Sequence, residues 1–190
     1  MNTPTHLIVN YALLEKETTQ KEKWWILAGG FIPDITIYFM FFWAFAAGID
    51  QQTLWREVYF QPEWQAIKNV FNSVPLALLI LTAGVALKKR WLSLFSISLL
   101  IHFVLDFFTH ANDGHAHFYP LTNWIYQSPL SYWDKGANAE LGGAIELALL
   151  SICVIYLLPR LRTWWTKTLV IGAWLFSVLG SLIAPIIFSL

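Results

Sequence analysis

Long apolar runs separated by short polar stretches dominate the chain. A bilayer core of about 30 Å needs roughly 20 apolar residues in a helix. Five runs approach or exceed that length: Trp24–Ile49, Val70–Leu87, Trp91–Thr109, Leu141–Leu158 and Thr168–Leu190. A shorter run, Leu7–Leu14, cannot span and reads as a half-helix or an interfacial helix. Alternation of the strand type is absent over any useful length, and there are no internal repeats or low-complexity linkers. The pattern predicts an all-α, polytopic membrane bundle of about five transmembrane helices plus a short N-terminal half-helix, in a single domain over residues 1–190.

Composition sharpens this reading. The chain is 57% apolar and 13% charged, against about 25% charged for a soluble domain, which argues against a buried soluble bundle. The formal net charge is zero, so no nucleic-acid partner is expected; the expected partner is the lipid bilayer. The single Cys153 lies in an apolar run and reads as structural. Met1–His6 offers no basic region ahead of an apolar core, which argues against a cleaved signal peptide.

Lys and Arg set the expected orientation. With five spans, Lys16, Lys21, Lys23, Lys88, Lys89, Arg90, Arg160, Arg162 and Lys167 share one side, and Arg56, Lys68 and Lys135 the other. The richer side is expected to be cytoplasmic, which turns the loops 50–69 and 110–140 outward. Trp24, Trp25, Trp91, Trp164 and Trp165 fall near one interface. Trp55, Trp64, Trp124 and Trp133 fall in the outer loops, as an aromatic belt requires.

Four ionisable residues break the apolar runs: Asp34, His102, Asp106 and Glu146. An ionisable group at membrane depth costs about 3 kcal/mol on insertion scales and normally faces a partner inside the bundle. At a rise of about 1.5 Å per residue, Asp34 lies roughly 15 Å and His102 roughly 16 Å from the cytoplasmic face. Asp106 stands one turn above His102 on the same face. Glu146 enters about 8 Å from the outer side, and His6 reaches roughly 14 Å if the first short helix rises from the interface near Glu15. These residues are therefore expected at similar depth.

Four of the five histidines lie between His102 and His117. His102, Asp106 and His110 at i, i+4, i+8 give one helix face bearing imidazole and carboxylate, which suits zinc, with iron and manganese as alternatives. Asp113, His115 and His117 follow around Gly114. A turning loop there folds back over the helix end and completes one site or builds a second. Each position also has a plain structural reading. Asp34 after Pro33 can cap a restarting helix, Thr5 can cap the first helix, Asn72 and Ser73 can be caps, loop histidines can be solvated, and Asp134 reads as loop structure.

Thr5-His6, Pro33-Asp34 after a double glycine, and His102-x3-Asp106-x2-Thr109-His110 together resemble the bacterial inner-membrane, metal-dependent hydrolases described as LexA-regulated. That family is thought to be distantly similar to zinc-dependent phospholipase C. The likeness covers most of the chain. The segment Asp113-Gly-His115-Ala-His117-Phe-Tyr-Pro120-Leu121, with Ser128-Pro129 and Ser131-Tyr-Trp-Asp134, looks like one branch of it. The resemblance implies an inner-membrane location and metal-binding roles for His6, Asp34, His102 and Asp106. The chain departs from the pattern at Asn72, where many members carry a histidine before the serine; the pair His115 and His117 is a candidate replacement.

The leading expectation is a membrane-embedded metallohydrolase acting on a phosphoester or lipid-linked substrate. One or two divalent ions, zinc foremost, would be held by His6, Asp34, His102, Asp106 and some of His110, Asp113, His115 and His117. Asp113 or Glu146 would serve as general base. A transporter of divalent metal or protons, and a non-enzymatic protein with a structural metal, are the alternatives. The bare fifth helix and the clustering of titratable groups from mid-depth outward favour a pocket over a through-path.

Overall fold

A computed structural model describes residues 1–187, with side chains through residue 180 except Glu17. The described residues form nine α-helices and no strand. They are α1 (Thr3–Leu14), α2 (Gln20–Phe31), α3 (Ile35–Ala46), α4 (Gln51–Arg56), α5 (Pro62–Phe71), α6 (Val74–Ala86), α7 (Arg90–Phe107), α8 (Ala139–Leu157) and α9 (Trp164–Ile187).

Among the described residues, four stretches are long and apolar enough to cross a membrane: Gln20–Ala46, Pro62–Ala86, Arg90–Phe107 and Ala139–Leu157. The first two are helices with a break. Pro33 lacks an N–H and its ring crowds the preceding turn, so Ile32–Asp34 tightens into a 3₁₀ turn between α2 and α3. Between α5 and α6 the helix stops at Asn72 and restarts at Ser73, whose hydroxyl caps the Leu76 N–H at 3.2 Å. The expected fifth span, Thr168–Leu190, falls on α9; residues 188–190 lie outside the described residues.

The bundle is apolar outside and polar inside. Phe39, Phe45, Leu79, Val85, Ile152, Ile155 and Phe176 are exposed, whereas His6, Asn10, Ser96, Ser98, His102 and Asp106 are fully buried. That inversion of the soluble pattern is what a lipid solvent demands, because polar groups there must find partners within the protein. Together the spans and the inversion make this a helical membrane bundle.

Helix α7 is central and packs most extensively on α2 and α6. Small residues permit the approach. Gly29 of α2 faces Phe95 and Ser98 of α7, and Gly84 of α6 faces Ser93. Polar side chains tie the crossings. Asn10 Nδ2 donates to the Ser98 carbonyl at 2.8 Å, Ser98 Oγ donates to the Ile26 carbonyl at 2.6 Å, and Ser96 Oγ donates to the Ala77 carbonyl. The half-helix α1 inserts among α2, α7, α8 and α9, with His6 and Asn10 fully buried on it.

Candidate metal centre

Asp106, fully buried near the end of α7, is the hub. His6 Nε2 lies 2.9 Å from its Oδ1 and His102 Nε2 lies 3.0 Å from its Oδ2. The two imidazoles stack with centroids 3.5 Å apart and planes 12° from parallel. The stack delivers one nitrogen to each oxygen of the same carboxylate. The i, i+4 spacing places His102 below Asp106 on α7, and α1 carries His6 in from the side.

His102 Nδ1 lies 2.9 Å from the Gly30 carbonyl. A carbonyl only accepts, so Nδ1 carries a proton. In the neutral ring, Nε2 then points its lone pair at Asp106 Oδ2 and, 3.7 Å away, at Asp34 Oδ1. A lone pair facing two carboxylates requires a proton or a cation between them. A backbone carbonyl fixing the far nitrogen is the usual support of a histidine ligand.

A second group lies on the outer side of the same carboxylate. His110 Nε2 is 3.2 Å from Asp106 Oδ1, and His115 Nε2 is 3.7 Å from Asp106 Oδ2. His110 Nδ1 is 2.8 Å from Asp113 Oδ2, which also accepts from Trp133 Nε1 at 3.0 Å. This is the carboxylate–histidine pairing that orients metal ligands. The amino group of Met1 lies 2.9 Å from Asp106 Oδ1 and 3.1 Å from both Thr109 Oγ1 and His110 Nε2. A positive group thus stands where a metal cation would stand.

The ligand atoms of His6, His102 and Asp106 all lie within 4.8 Å of one another, and so do those of Asp106, His110 and His115. Asp106 belongs to both triads. Buried polar atoms without a partner include His6 Nδ1, His115 Nδ1 and Asp113 Oδ1. The donor set, imidazoles with carboxylate, fits a divalent ion of the zinc, manganese or iron kind.

Asp34 occupies the position before α3, yet its side chain makes no capping bond. Its Oδ2 accepts from Thr3 Oγ1 at 2.6 Å, and its Oδ1 faces His102. It borders the first triad without joining it. His117 also stands outside both triads. Its Nδ1 donates to the Asn72 carbonyl at 3.1 Å, so the loop after α7 docks on the α5–α6 break at the residue where the resemblance departs. Glu146 Oε1 accepts from the Asn2 N–H at 2.8 Å and Thr5 Oγ1 at 2.7 Å. Thr5 is therefore a tie to α8, and Glu146 is a counter-charge at the start of α1, where the helix dipole favours an anion. Asp134 shapes its loop through Gly136 and Asn112.

A cavity of about 370 Å³ adjoins this cluster. Its polar floor includes His110, Asp113 and Glu146, and its walls include Ile37, Leu147, Leu150 and Phe176. Among the described residues α3 has no extensive packing on α8 or α9, and the cavity is lined from both sides, by Ile37 of α3 and Phe176 of α9.

Electrostatics outside the spans follows from burial. Burial pushes the His115 imidazole well below its usual range, with the nearby Lys68 charge acting in the same direction; it is neutral at pH 7, as a ligand must be. Burial would raise Asp113, but His110 and the Trp133 N–H outweigh it and hold the carboxyl below its usual range. Burial, reinforced by Asp113, pushes the Tyr59 phenol well above its ordinary value.

Sequence reasoning passed over Tyr59 and Lys68. Tyr59 lines the cavity, and Lys68 is buried against its ring and hydroxyl. The signal was the row Lys68, Asn69 and Asn72, one turn of polar side chains opposite apolar Ile67 and Val70. Comparison with known protein families, curated proteins and solved structures finds no match to the chain.

Proposed function

We propose that this protein is a membrane-embedded metallohydrolase acting on a phosphoester whose remainder is lipid-like. The observation that carries the reading is one buried carboxylate, Asp106, shared by two ligand triads, the second of which meets an apolar-walled cavity through His110. The family resemblance of Thr5-His6, Pro33-Asp34 and His102-x3-Asp106 points the same way.

His6, His102 and Asp106 would hold one divalent ion, with Asp34 adjoining, and Asp106, His110 and His115 a second. Such ions would supply Lewis acidity toward a phosphoryl oxygen and make a water more acidic. Gly30 fixes the tautomer of His102, and Asp113 fixes the ring of His110. Asp113 Oδ1, buried and unpartnered beside the cavity, is placed to take a proton from an attacking water. Glu146, the other candidate base, also lines the cavity, but its Oε1 is committed to α1. The cavity walls would seat the apolar part of the substrate, excluding water and aligning the ester on the cluster. We further propose a bacterial inner-membrane location, with residues 50–61 and the loop 110–138 on the extracytoplasmic side.

The test is turnover by the full chain in detergent, stripped of metal and reloaded with zinc, manganese or iron. Substrates would be a water-soluble nitrophenyl phosphodiester and a short-chain phospholipid. Metal-dependent release of product, lost in Asp106→Asn and faster on the lipid, is expected. Leucine at Gly143, where a Cβ meets only the Tyr132 carbonyl at 3.8 Å, should slow the lipid more than the soluble ester. Absence of metal-dependent turnover on any phosphoester, in protein shown to hold metal, would overturn the reading.

A further inference from the structure

Of the described lysines and arginines, only Lys68 is buried, at 3% exposure. A buried ammonium is costly unless it is paired. Among the described residues no carboxylate lies within 4 Å of it. Its Nζ donates to Tyr59 Oη and sits 3.7 Å from the centre of the Tyr59 ring. A phenol and a π face offset part of that cost, and the Asp113 and Asp106 carboxylates act on the charge only from beyond ion-pair distance. Tyr59 Oη in turn lies 3.4 Å from the Asp113 carbonyl, and its side chain lines the cavity beside His110 and Asp113. The Lys68 charge also bears on His115 of the second triad.

We propose that Lys68 and Tyr59 form an anion seat beside the second triad, holding an oxygen of a phosphate-type group that lies against the cluster. The inference rests on the metallohydrolase reading and gives it a group that distinguishes a phosphoester from a neutral ester. The charge balance supports it. Two divalent ions would match Asp34, Asp106, Asp113 and Glu146, so the Lys68 charge and the buried Met1 ammonium beside Asp106 would both be left to be met by an incoming anion. An ammonium with rotatable donors suits a phosphate oxygen. The Tyr59 hydroxyl accepts from Lys68 and donates to the Asp113 carbonyl at 3.4 Å; turned toward an incoming anion, that proton would give the pair two donors. Lys68 here positions and neutralises the bound group, and it takes no part in bond making.

The experiment is calorimetric titration of inorganic phosphate, and separately of dihexanoyl phosphatidic acid, into the detergent-purified full chain. Wild type, Lys68→Met, Lys68→Arg and Tyr59→Phe are compared, with metal content measured on every sample. Wild type should bind phosphate. Lys68→Met should weaken it at least tenfold without loss of metal, Tyr59→Phe several-fold, and Lys68→Arg least. Tighter binding of the lipid, still dependent on Lys68, would assign the seat to a lipid headgroup; equal binding would assign it to phosphate free in water. Should Lys68→Met not fold, Tyr59→Phe and Lys68→Arg still decide. Phosphate binding in metal-loaded protein that neither Lys68→Met nor Tyr59→Phe weakens overturns the seat, and so does wild type that binds neither ligand. Lys68-dependent phosphate binding in protein that takes up no metal would uphold the seat while the metallohydrolase reading fails.

Discussion

Gly29→Ala is a one-carbon change that tests whether helix packing sets the site. A Cβ at Gly29 would stand 2.4 Å from the Phe95 carbonyl oxygen and 2.7 Å from Ser98 Cβ. Unstrained contacts need about 3.5 Å, so α2 and α7 must separate by roughly 1 Å. The near contact is α7 backbone, which cannot swing aside. Overpacking of this kind costs about 1–3 kcal/mol, on the order of 2–4 °C of melting temperature per kcal/mol for a chain of this size. The next residue, Gly30, carries the carbonyl that holds His102 Nδ1 at 2.9 Å. A shift of roughly 1 Å takes that bond beyond hydrogen-bond length. Loss of such support lowers metal affinity about 10- to 100-fold, or about 1.4–2.7 kcal/mol. The assay pairs thermal unfolding in detergent with competitive zinc titration, using Gly172→Ala as control because a Cβ there meets nothing within 4 Å. A Gly29→Ala protein with wild-type melting and wild-type zinc affinity would refute the reasoning.

Other perturbations separate the roles of the surrounding residues. Asp113→Asn keeps an acceptor for His110 Nδ1 but removes the charge behind it, so zinc affinity should fall about 10- to 100-fold with little change in melting temperature; competitive titration reads this directly. Glu146→Leu strands the buried Thr5 hydroxyl, costing about 1–3 kcal/mol, and less for the half-buried Asn2 N–H, whereas Glu146→Gln retains an accepting oxygen and should melt near wild type. Loss of turnover in Glu146→Gln without loss of stability would move the general base from Asp113 to Glu146. Metal retention should fall with acidification, because imidazole ligands bind only when unprotonated. His115, depressed by burial, resists protonation longest, while release should begin near the ordinary histidine range of about 6.5 and reverse on neutralisation with metal added back.

The spans were legible because lipid exposure writes long apolar runs, and the break at Pro33 was legible from proline's missing N–H. His102 and Asp106 were legible from i, i+4 spacing, and the loop after Gly114 does fold back to set His115 beside Asp106. Depth put His6, Asp34 and Glu146 near one level. Azimuth was not readable from one chain, so nothing in the sequence showed that His6 would stack on His102 or that Glu146 would face the start of α1. Residues 62–69 read as outer loop because Glu63, Gln65, Lys68 and Asn69 look solvated. In the structure this segment is helical and turns Lys68 and Asn69 inward. His117 was grouped with the ligands by spacing alone; the structure leaves it outside both triads, with its Nδ1 on the Asn72 carbonyl.

The most direct test of the central claim is elemental mass spectrometry of the gently purified full chain beside Asp106→Asn and His102→Ala. One or two zinc, manganese or iron ions per wild-type chain are expected. Little or none is expected in Asp106→Asn, which loses the carboxylate charge shared by both triads, and at most one in His102→Ala, which leaves His110 and His115 in place. Wild type that holds no metal after metal is added back, or an Asp106→Asn protein that keeps the full complement, would contradict it.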